Sequence, residues 1–330
     1  MALLLRESEV TALLPMEAAI GIMERALAAF STGGVLQPVR QALAIEPHAG
    51  YLGLMPAHLR PGAGGAGEAL GAKAVTFYTA NAARGIPTHM AVILLWDART
   101  GALLAIMDGR LITEVRTAAT SAAAAKALAR PEAGVLALLG AGVQGRSHLE
   151  AFRHVRAIRE VRVWSRTPAN AEALVREAGA GGLAARGCRT AEEAVRGADL
   201  LVTATSSPTP VLQGRWVSPG AHITAVGAPR PDWRELDADA VARARVFVDS
   251  RAGALAESGD LLLALKEGAI EEGHVAGEIG EVLAGRLGGR TAPQEITLFK
   301  SLGMAAEDVA AAAFVYQQAR ARGVGREVEL

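Results

Sequence analysis

Two cationic side chains stand where a small anionic ligand could be gripped, and a third lies at a junction between two regions. Lys73 shares a strand face with Val75 and Phe77, so a period of two turns its ammonium toward an apolar surface. A buried lysine must find an anion or lower its pKa, and either outcome is useful: it can clamp a carboxylate or supply a proton near neutral pH. Arg40 sits in the alternating stretch 39–45, with the small Ala42 and Ala44 as face-mates. That leaves room above the sheet for a carboxylate-bearing ligand, the alternative being a rim arginine in a salt bridge. Arg116, with Thr88, His89 and Thr117, flanks the point where a sheet-rich region gives way to a region of different texture. Residues at such a junction can reach both a ligand and a cofactor.

The second region opens on a phosphate-binding pattern. An apolar run, 135–139, leads into Gly140-Ala141-Gly142-Val143-Gln144-Gly145. Gly140 permits a tight turn, Gly142 lets backbone approach a pyrophosphate, and Gly145 lets the next helix pack close to the sheet. A helix starting near Val143 points the N–H groups of Val143 and Gln144, and its positive dipole end, at phosphates. In a chain with 37 glycines the string alone says little. The strand before it and the helix after it, expected over 143–156, make it a dinucleotide signature. The following strand ends in Ser165-Arg166-Thr167. A carboxylate at that point would bind the 2′-hydroxyl of NAD, whereas a guanidinium forks onto a 2′-phosphate. The expected cofactor is therefore NADP(H), with NAD(H) as the alternative. Thr205, Ser206 and Ser207 end a further strand, where the nicotinamide end of a dinucleotide normally lies.

The elements that position these groups follow from periodicity. Residues 16–30 repeat as an amphipathic helix. Strands are expected at 39–45, 51–55, 72–78, 88–96 and 102–107, with a glycine-rich loop over 62–71 and a hairpin turn at 97–101. An alanine-rich helix, 110–129, leads to the glycine turn. Strands at 135–139, 161–164, 200–204, 222–226 and 246–249 then alternate with helices, the pattern of a doubly wound parallel sheet. After Gly253 the chain reads as helical, and a last helix over 305–322 is expected to pack back on the first region. The expected fold is α/β: a Rossmann-type dinucleotide-binding domain over 116–299 and a sheet-rich α+β domain formed by 1–115 with 300–330.

Composition narrows the class. Formal net charge is zero over 330 residues, which gives no reason to expect nucleic acid or an anionic membrane as a partner. No apolar run reaches the roughly 18 residues of a membrane span, and the run 2–5 is too short for a signal-peptide core. A cytoplasmic protein is expected. The single cysteine, Cys188, forms no internal disulfide or cysteine cluster, and no histidine or carboxylate group has metal spacing, so no metal is expected. Of 34 basic residues only Lys73, Lys126, Lys266 and Lys300 are lysines, so a lysine kept in this arginine-rich chain has some claim to a specific role. Lys126 and Lys266 read as helix-surface residues.

Four stretches resemble the ornithine cyclodeaminase / mu-crystallin family: 71–78 (GAKAVTFY), 114–119 (EVRTAA), 140–145 (GAGVQG) and 298–304 (LFKSLGM). The second and fourth are the most specific, and the resemblance covers nearly the whole chain. It implies a homodimer with a substrate and dimerisation domain beside a Rossmann domain that holds NAD(H) or NADP(H). It implies that Arg40, Lys73 and Arg116 gather around a substrate carboxylate and the nicotinamide. Thr88, His89, Thr117, Ser165, Arg166, Thr167 and Thr205 are implied as cofactor contacts. One departure matters. Ornithine cyclodeaminases carry an acid/base aspartate soon after a Val-Gly pair, and here, after Val226-Gly227-Ala228, the position holds Pro229. Asp232 could substitute only if the loop bends differently. The loop and the Ser-Arg-Thr sequence resemble the mu-crystallin branch. The resemblance thus implies NADPH-dependent reduction of small, cyclic imino acids such as pyrroline-2-carboxylate or piperideine-2-carboxylate. Ornithine cyclodeamination, alanine-type amino-acid dehydrogenation and non-catalytic NADPH binding are the rivals.

Overall fold

The computed structural model describes residues 1–62 and 67–329. It divides into two compact units, Met1–Arg116 with Gly303–Leu330, and Thr117–Leu302. Part of the glycine-rich loop expected over 62–71 lies outside the described residues, and its end already belongs to a strand.

The first unit holds strands β1 (Ala2–Leu5), β2 (Val35–Leu36), β3 (Gln41–Ile45), β4 (Gly50–Leu59), β5 (Ala69–Tyr78), β6 (His89–Trp96), β7 (Leu103–Asp108) and, at the end of the chain, β16 (Arg326–Val328). Their order is β16-β1-β7-β6-β5-β4-β2, with β3 paired to β4. Helices α1 (Glu7–Leu13) and α2 (Met16–Ser31) precede the meander, and α11 (Ala305–Arg322) returns to it. Register sorts the side chains of the meander. Met55, Lys73, Ile93 and Met107 lie opposite one another across four strands and point to one face. That face is covered by α11, which packs on β4, β5 and β6 and against α2. Its run of buried alanines lets the helix sit close. At Gly71 a Cβ would come within 3.0 Å of Val309 and 2.9 Å of the Leu94 carbonyl. The opposite face carries Leu43, Leu54, Met90 and Val92, all exposed.

Two expectations are corrected here. Arg40 does not lie in a strand, because β3 starts at Gln41 and its alanines are exposed; Arg40 is the last residue of the irregular approach to β3. The strand expected at 51–55 runs for ten residues, 50–59, since β5 offers it a ladder of full length.

The alanine-rich helix α3 (Arg110–Leu128) leads into strands β8 (Val135–Leu139), β9 (Glu160–Trp164), β10 (Ala184–Gly187), β11 (Leu200–Thr203), β12 (His222–Ala225), β13 (Ala244–Val248), β14 (Val275–Glu278) and β15 (Ile296–Lys300). All their pairings are parallel, in the order β10-β9-β8-β11-β12-β15-β13-β14. The helices between them are α4 (Val143–Arg153), α5 (Pro168–Ala180), α6 (Ala191–Val195), α7 (Ala238–Ala242), α8 (Arg251–Glu257), α9 (Gly259–Lys266) and α10 (Ile279–Leu283). Helix α4 stops three residues short of the expected end. The strand order reverses beside β8, and in such sheets ligands bind at the carboxyl ends of the strands flanking the reversal. The reading of helix beyond Gly253 is also corrected. That stretch contributes two strands to this sheet, β14 and β15, and β15 enters between β12 and β13, with every residue buried. A run buried on both faces has no alternation to betray it; only its β-branched start and its bounds at Pro293 and Gly303 mark it as a strand.

Candidate active site

The first unit concentrates buried charge at one place. Lys73, on β5, is 1% exposed, and its Nζ lies 2.6 Å from Asp308 Oδ2. It also donates to Thr113 Oγ1 at 3.3 Å. Arg116, 4% exposed, donates from Nε to Asp308 Oδ1 at 2.9 Å and from Nη1 to Glu307 Oε2 at 2.7 Å. Arg40 donates to the Gly303 carbonyl at 3.3 Å. Gly303 has φ +80°, and a Cβ there would lie 2.3 Å from Arg116 Nη1, so both its backbone conformation and its lack of a side chain are used. Periodicity had pointed Lys73 inward; the structure shows what meets it there.

The protonation states follow from this geometry. Burial pulls the Lys73 pKa down to about 8, with Arg116 and Arg40 adding to the fall while Asp308 opposes it. Burial alone would raise Asp308, but Arg116 and Lys73 outweigh it and hold the carboxyl below its usual range. Burial lowers Arg116, and Asp308 and Glu307 more than restore it. His89, the first residue of β6, falls to about 4 through burial and the nearby Lys73 and Arg116, so it is neutral at physiological pH. The cluster therefore sets three cations (Arg40, Lys73, Arg116) against two carboxylates (Glu307, Asp308). The four fully buried charges balance one another, and Lys73 is the titratable ammonium among them.

Glu307 and Asp308 were not found from the sequence. Their signal was present: two adjacent acids in the first turn of a helix whose residues 305–313 are otherwise apolar. Carboxylates in the buried first turns of a helix need buried cations. Thr88 lies one residue before β6, half-buried, with its carbonyl accepting from the Tyr78 N–H.

In the second unit the glycine turn has the shape of a phosphate cradle. Gly140 takes φ +118°, and a Cβ on it would strike the Ala204 carbonyl at 2.4 Å. At Gly145 a Cβ would strike the Gly140 carbonyl at 2.3 Å. Around Gly142 there is nothing within 4 Å of where a Cβ would stand, and α4 begins at Val143 with no side chain capping its first turn. The first N–H groups of that helix have no intrahelical acceptor. These features fit a dinucleotide pyrophosphate: the backbone at Gly142, Val143 and Gln144 would hold it. Just beyond the neighbouring strand β9, Ser165 accepts from the Thr167 N–H at 3.3 Å, and Arg166 is exposed beside them. Thr117 is buried on α3, and its carbonyl accepts from Ser121. Thr205 lies just beyond β11, and its hydroxyl donates to Glu235 at 2.6 Å. The glycine turn, Ser165–Thr167 and Thr205 thus stand at the carboxyl ends of three neighbouring strands, β9, β8 and β11. Asp232 is ion-paired to Arg230 at 3.0 Å with more than half its side chain exposed. Cys188 is half-buried, and burial raises its thiol pKa. Among the described residues no three His, Cys, Asp or Glu side chains are grouped to hold a metal, and no helix is long and apolar enough to cross a membrane.

Comparison with known proteins identifies the family. The model of the ornithine cyclodeaminase/mu-crystallin family matches residues 2–323. The chain is 47% identical over 297 residues to the ketimine reductase mu-crystallin of Mus musculus, covering 89% of this chain and 90% of that protein. It superposes with a TM-score of 0.95 and 40% identity on the delta(1)-pyrroline-2-carboxylate reductase of Thermococcus litoralis in complex with NADH and L-proline, covering 99% of this chain and 100% of that one. It superposes with a TM-score of 0.94 and 36% identity on an archaeal alanine dehydrogenase dimer with bound NAD, covering 100% of this chain and 99% of that one. The chain belongs to the ornithine cyclodeaminase/mu-crystallin family.

Proposed function

We propose that this protein is an NADPH-dependent reductase of small, cyclic imino acids such as pyrroline-2-carboxylate or piperideine-2-carboxylate. The observation that carries the reading is the buried Lys73–Asp308–Arg116 cluster, which holds an ammonium whose pKa is near 8 with the half-buried Arg40 guanidinium close by. The bound cofactor supplies a hydride to the imine carbon. Everything else falls to the chain. Arg40 and Arg116 attract and orient the substrate carboxylate, and Arg116 is itself fixed by Glu307 and Asp308. Lys73 delivers a proton to the imine nitrogen, so that C=N becomes CH–NH. Asp308 keeps the ammonium in place and raises its proton affinity against the pull of burial. His89, neutral, adds no charge to the cluster.

The relatives support this reading, one by its name as a ketimine reductase and one as a pyrroline-2-carboxylate reductase. Pro229 argues against cyclodeamination, since proline can neither shuttle a proton nor pair with the ornithine amine, and Asp232 is held at the surface by Arg230. Arg166, exposed at the end of β9 where an NAD enzyme places a carboxylate, supports NADP(H) over NAD(H). The first unit would bind substrate and the second the dinucleotide. We place the enzyme in the cytoplasm as a homodimer. The exposed apolar sheet face of Leu43, Leu54, Met90 and Val92 supports self-association, and one structural neighbour is a dimer.

Four outcomes are expected. Lys73→Met lowers turnover by about 10²–10⁴-fold while NADPH affinity stays within about threefold; full activity in that variant would remove Lys73 from the mechanism. Steady-state kinetics across pH should show imine reduction falling as pH rises through about 8, because the ammonium loses its proton there, and the reverse oxidation rising. A reduction rate that climbs through that range contradicts Lys73 as the proton donor. By calorimetry, Arg166→Glu weakens NADPH by about tenfold or more and spares NADH; equal loss of both removes Arg166 from cofactor choice. Leu54→Lys combined with Met90→Lys yields monomers by analytical ultracentrifugation, and an unchanged dimer would place the interface elsewhere.

A further inference from the structure

The second unit buries a group of charges that the mechanism above does not use. Glu235, Asp260 and Lys300 are each no more than 1% exposed. Glu235 Oε1 accepts from both the N–H and the hydroxyl of Thr205, each at 2.6 Å, and Oε2 accepts from the Gly227 N–H at 2.7 Å. One carboxylate therefore ties together the chain leaving β11 and the chain leaving β12. Lys300, the last residue of β15, donates to the Gly227 carbonyl and lies 2.8 Å from Asp260 Oδ2. Asp260 Oδ1 closes the ring by accepting from the N–H groups of Glu235 and Leu236, at 2.8 and 2.9 Å. Both polar groups of the Gly227 backbone are thus held by buried charged side chains. A Cβ there would stand 2.4 Å from Glu235 Cδ and from the Thr205 carbonyl, and the next residue, Ala228, is held at φ +56°. A non-glycine residue keeps that conformation only where its surroundings fix it.

The ring also touches the glycine turn. A Cβ on Gly140 would meet the Ala204 carbonyl at 2.4 Å and Thr205 Cγ2 at 3.2 Å. Its charges are one ammonium and two carboxylates, a net of minus one. The nicotinamide ring is cationic when oxidised and neutral when reduced, so a fixed negative charge at these strand ends acts on the two forms differently.

We propose that Glu235 is a positioning residue that fixes the nicotinamide end of the cofactor site through Thr205 and Gly227, and that its charge favours the oxidised cofactor over the reduced one. Tighter holding of the oxidised form makes the bound reduced form the stronger hydride donor. The inference rests on the dinucleotide reading given above. Burial, with the neighbouring Asp260 adding to it, holds the Glu235 carboxyl above its usual range against the opposing pull of Lys300 and the Thr205 hydrogen bond.

The test is the ratio of dissociation constants, Kd for NADP⁺ over Kd for NADPH, measured by calorimetry on the full-length protein without substrate. In Glu235→Gln the ratio rises about five- to tenfold, because the cationic form alone loses a favourable charge. Asp260→Asn raises it in the same direction, since it removes one negative charge from the other side of the ring. Glu235→Asp keeps the charge and leaves the ratio within about twofold of the parent, even though the shorter side chain slackens Thr205 and lowers kcat. A folded Glu235→Gln protein with an unchanged ratio overturns the proposal. If that variant does not fold, Asp260→Asn decides alone; if neither folds, the ring serves stability and the proposal is likewise overturned. Failure of the parent protein to bind either form of the cofactor would instead sink the dinucleotide reading itself.

Discussion

The chemistry of the first unit depends on ion pairs that water does not reach, Lys73–Asp308 first among them. Lys73 and Asp308 meet at 2.6 Å inside the sheet–helix interface, and Arg116 shares the same carboxylate. Buried ion pairs are poor sources of net stability, because desolvating the charges offsets most of their attraction, yet removing one partner costs about 3–5 kcal/mol. Apolar residues would therefore have held α11 to its sheet at least as well. What the charges add is chemistry: an ammonium able to lose its proton near neutral pH, with guanidinium groups fixed beside it. The alanines of α11 and the glycines at 71 and 303 bring the helix and the arginine close enough to make that arrangement.

The second unit follows the same logic with backbone in place of side chains. Its cradle is defined by where Cβ atoms cannot go, at Gly140 and Gly145, and by where the space is left open, at Gly142. Beyond the cradle, Glu235, Asp260 and Lys300 hold the ends of three adjacent strands by hydrogen bonds to backbone. In both units, fully buried lysines are paired to aspartates. In a chain that uses arginine nearly everywhere else, the two lysines seated in the interior are those with a compact cation to place, whereas Lys126 and Lys266 sit exposed on helices.

Much of this was legible in the sequence, for identifiable reasons. The glycine turn, the parallel strands around it and the inward direction of Lys73 are local facts, set by spacing within a few residues. The place of Arg166, just past the end of β9, could be read because that strand end has a fixed relation to the turn. What escaped were partners far apart in the chain. Glu307 and Asp308 lie more than 190 residues from Arg116, and nothing local to β5 announces them. The strand at 296–300 escaped because it is buried on both faces and so shows no alternation. Arg40 was given the right neighbourhood and the wrong element, since β3 starts one residue later and its alanines face outward.

The central claim is that the cationic cluster serves an imine carboxylate while the glycine cradle holds a reduced, phosphorylated nicotinamide. The most direct measurement follows the absorbance of reduced nicotinamide as purified protein meets pyrroline-2-carboxylate or piperideine-2-carboxylate, with NADPH and NADH run side by side. Steady consumption of NADPH, faster than that of NADH, and formation of the saturated cyclic amino acid is the predicted result. Conversion of ornithine to proline and ammonia with no net change in cofactor, or binding of NADPH with no turnover of any imine, would contradict it.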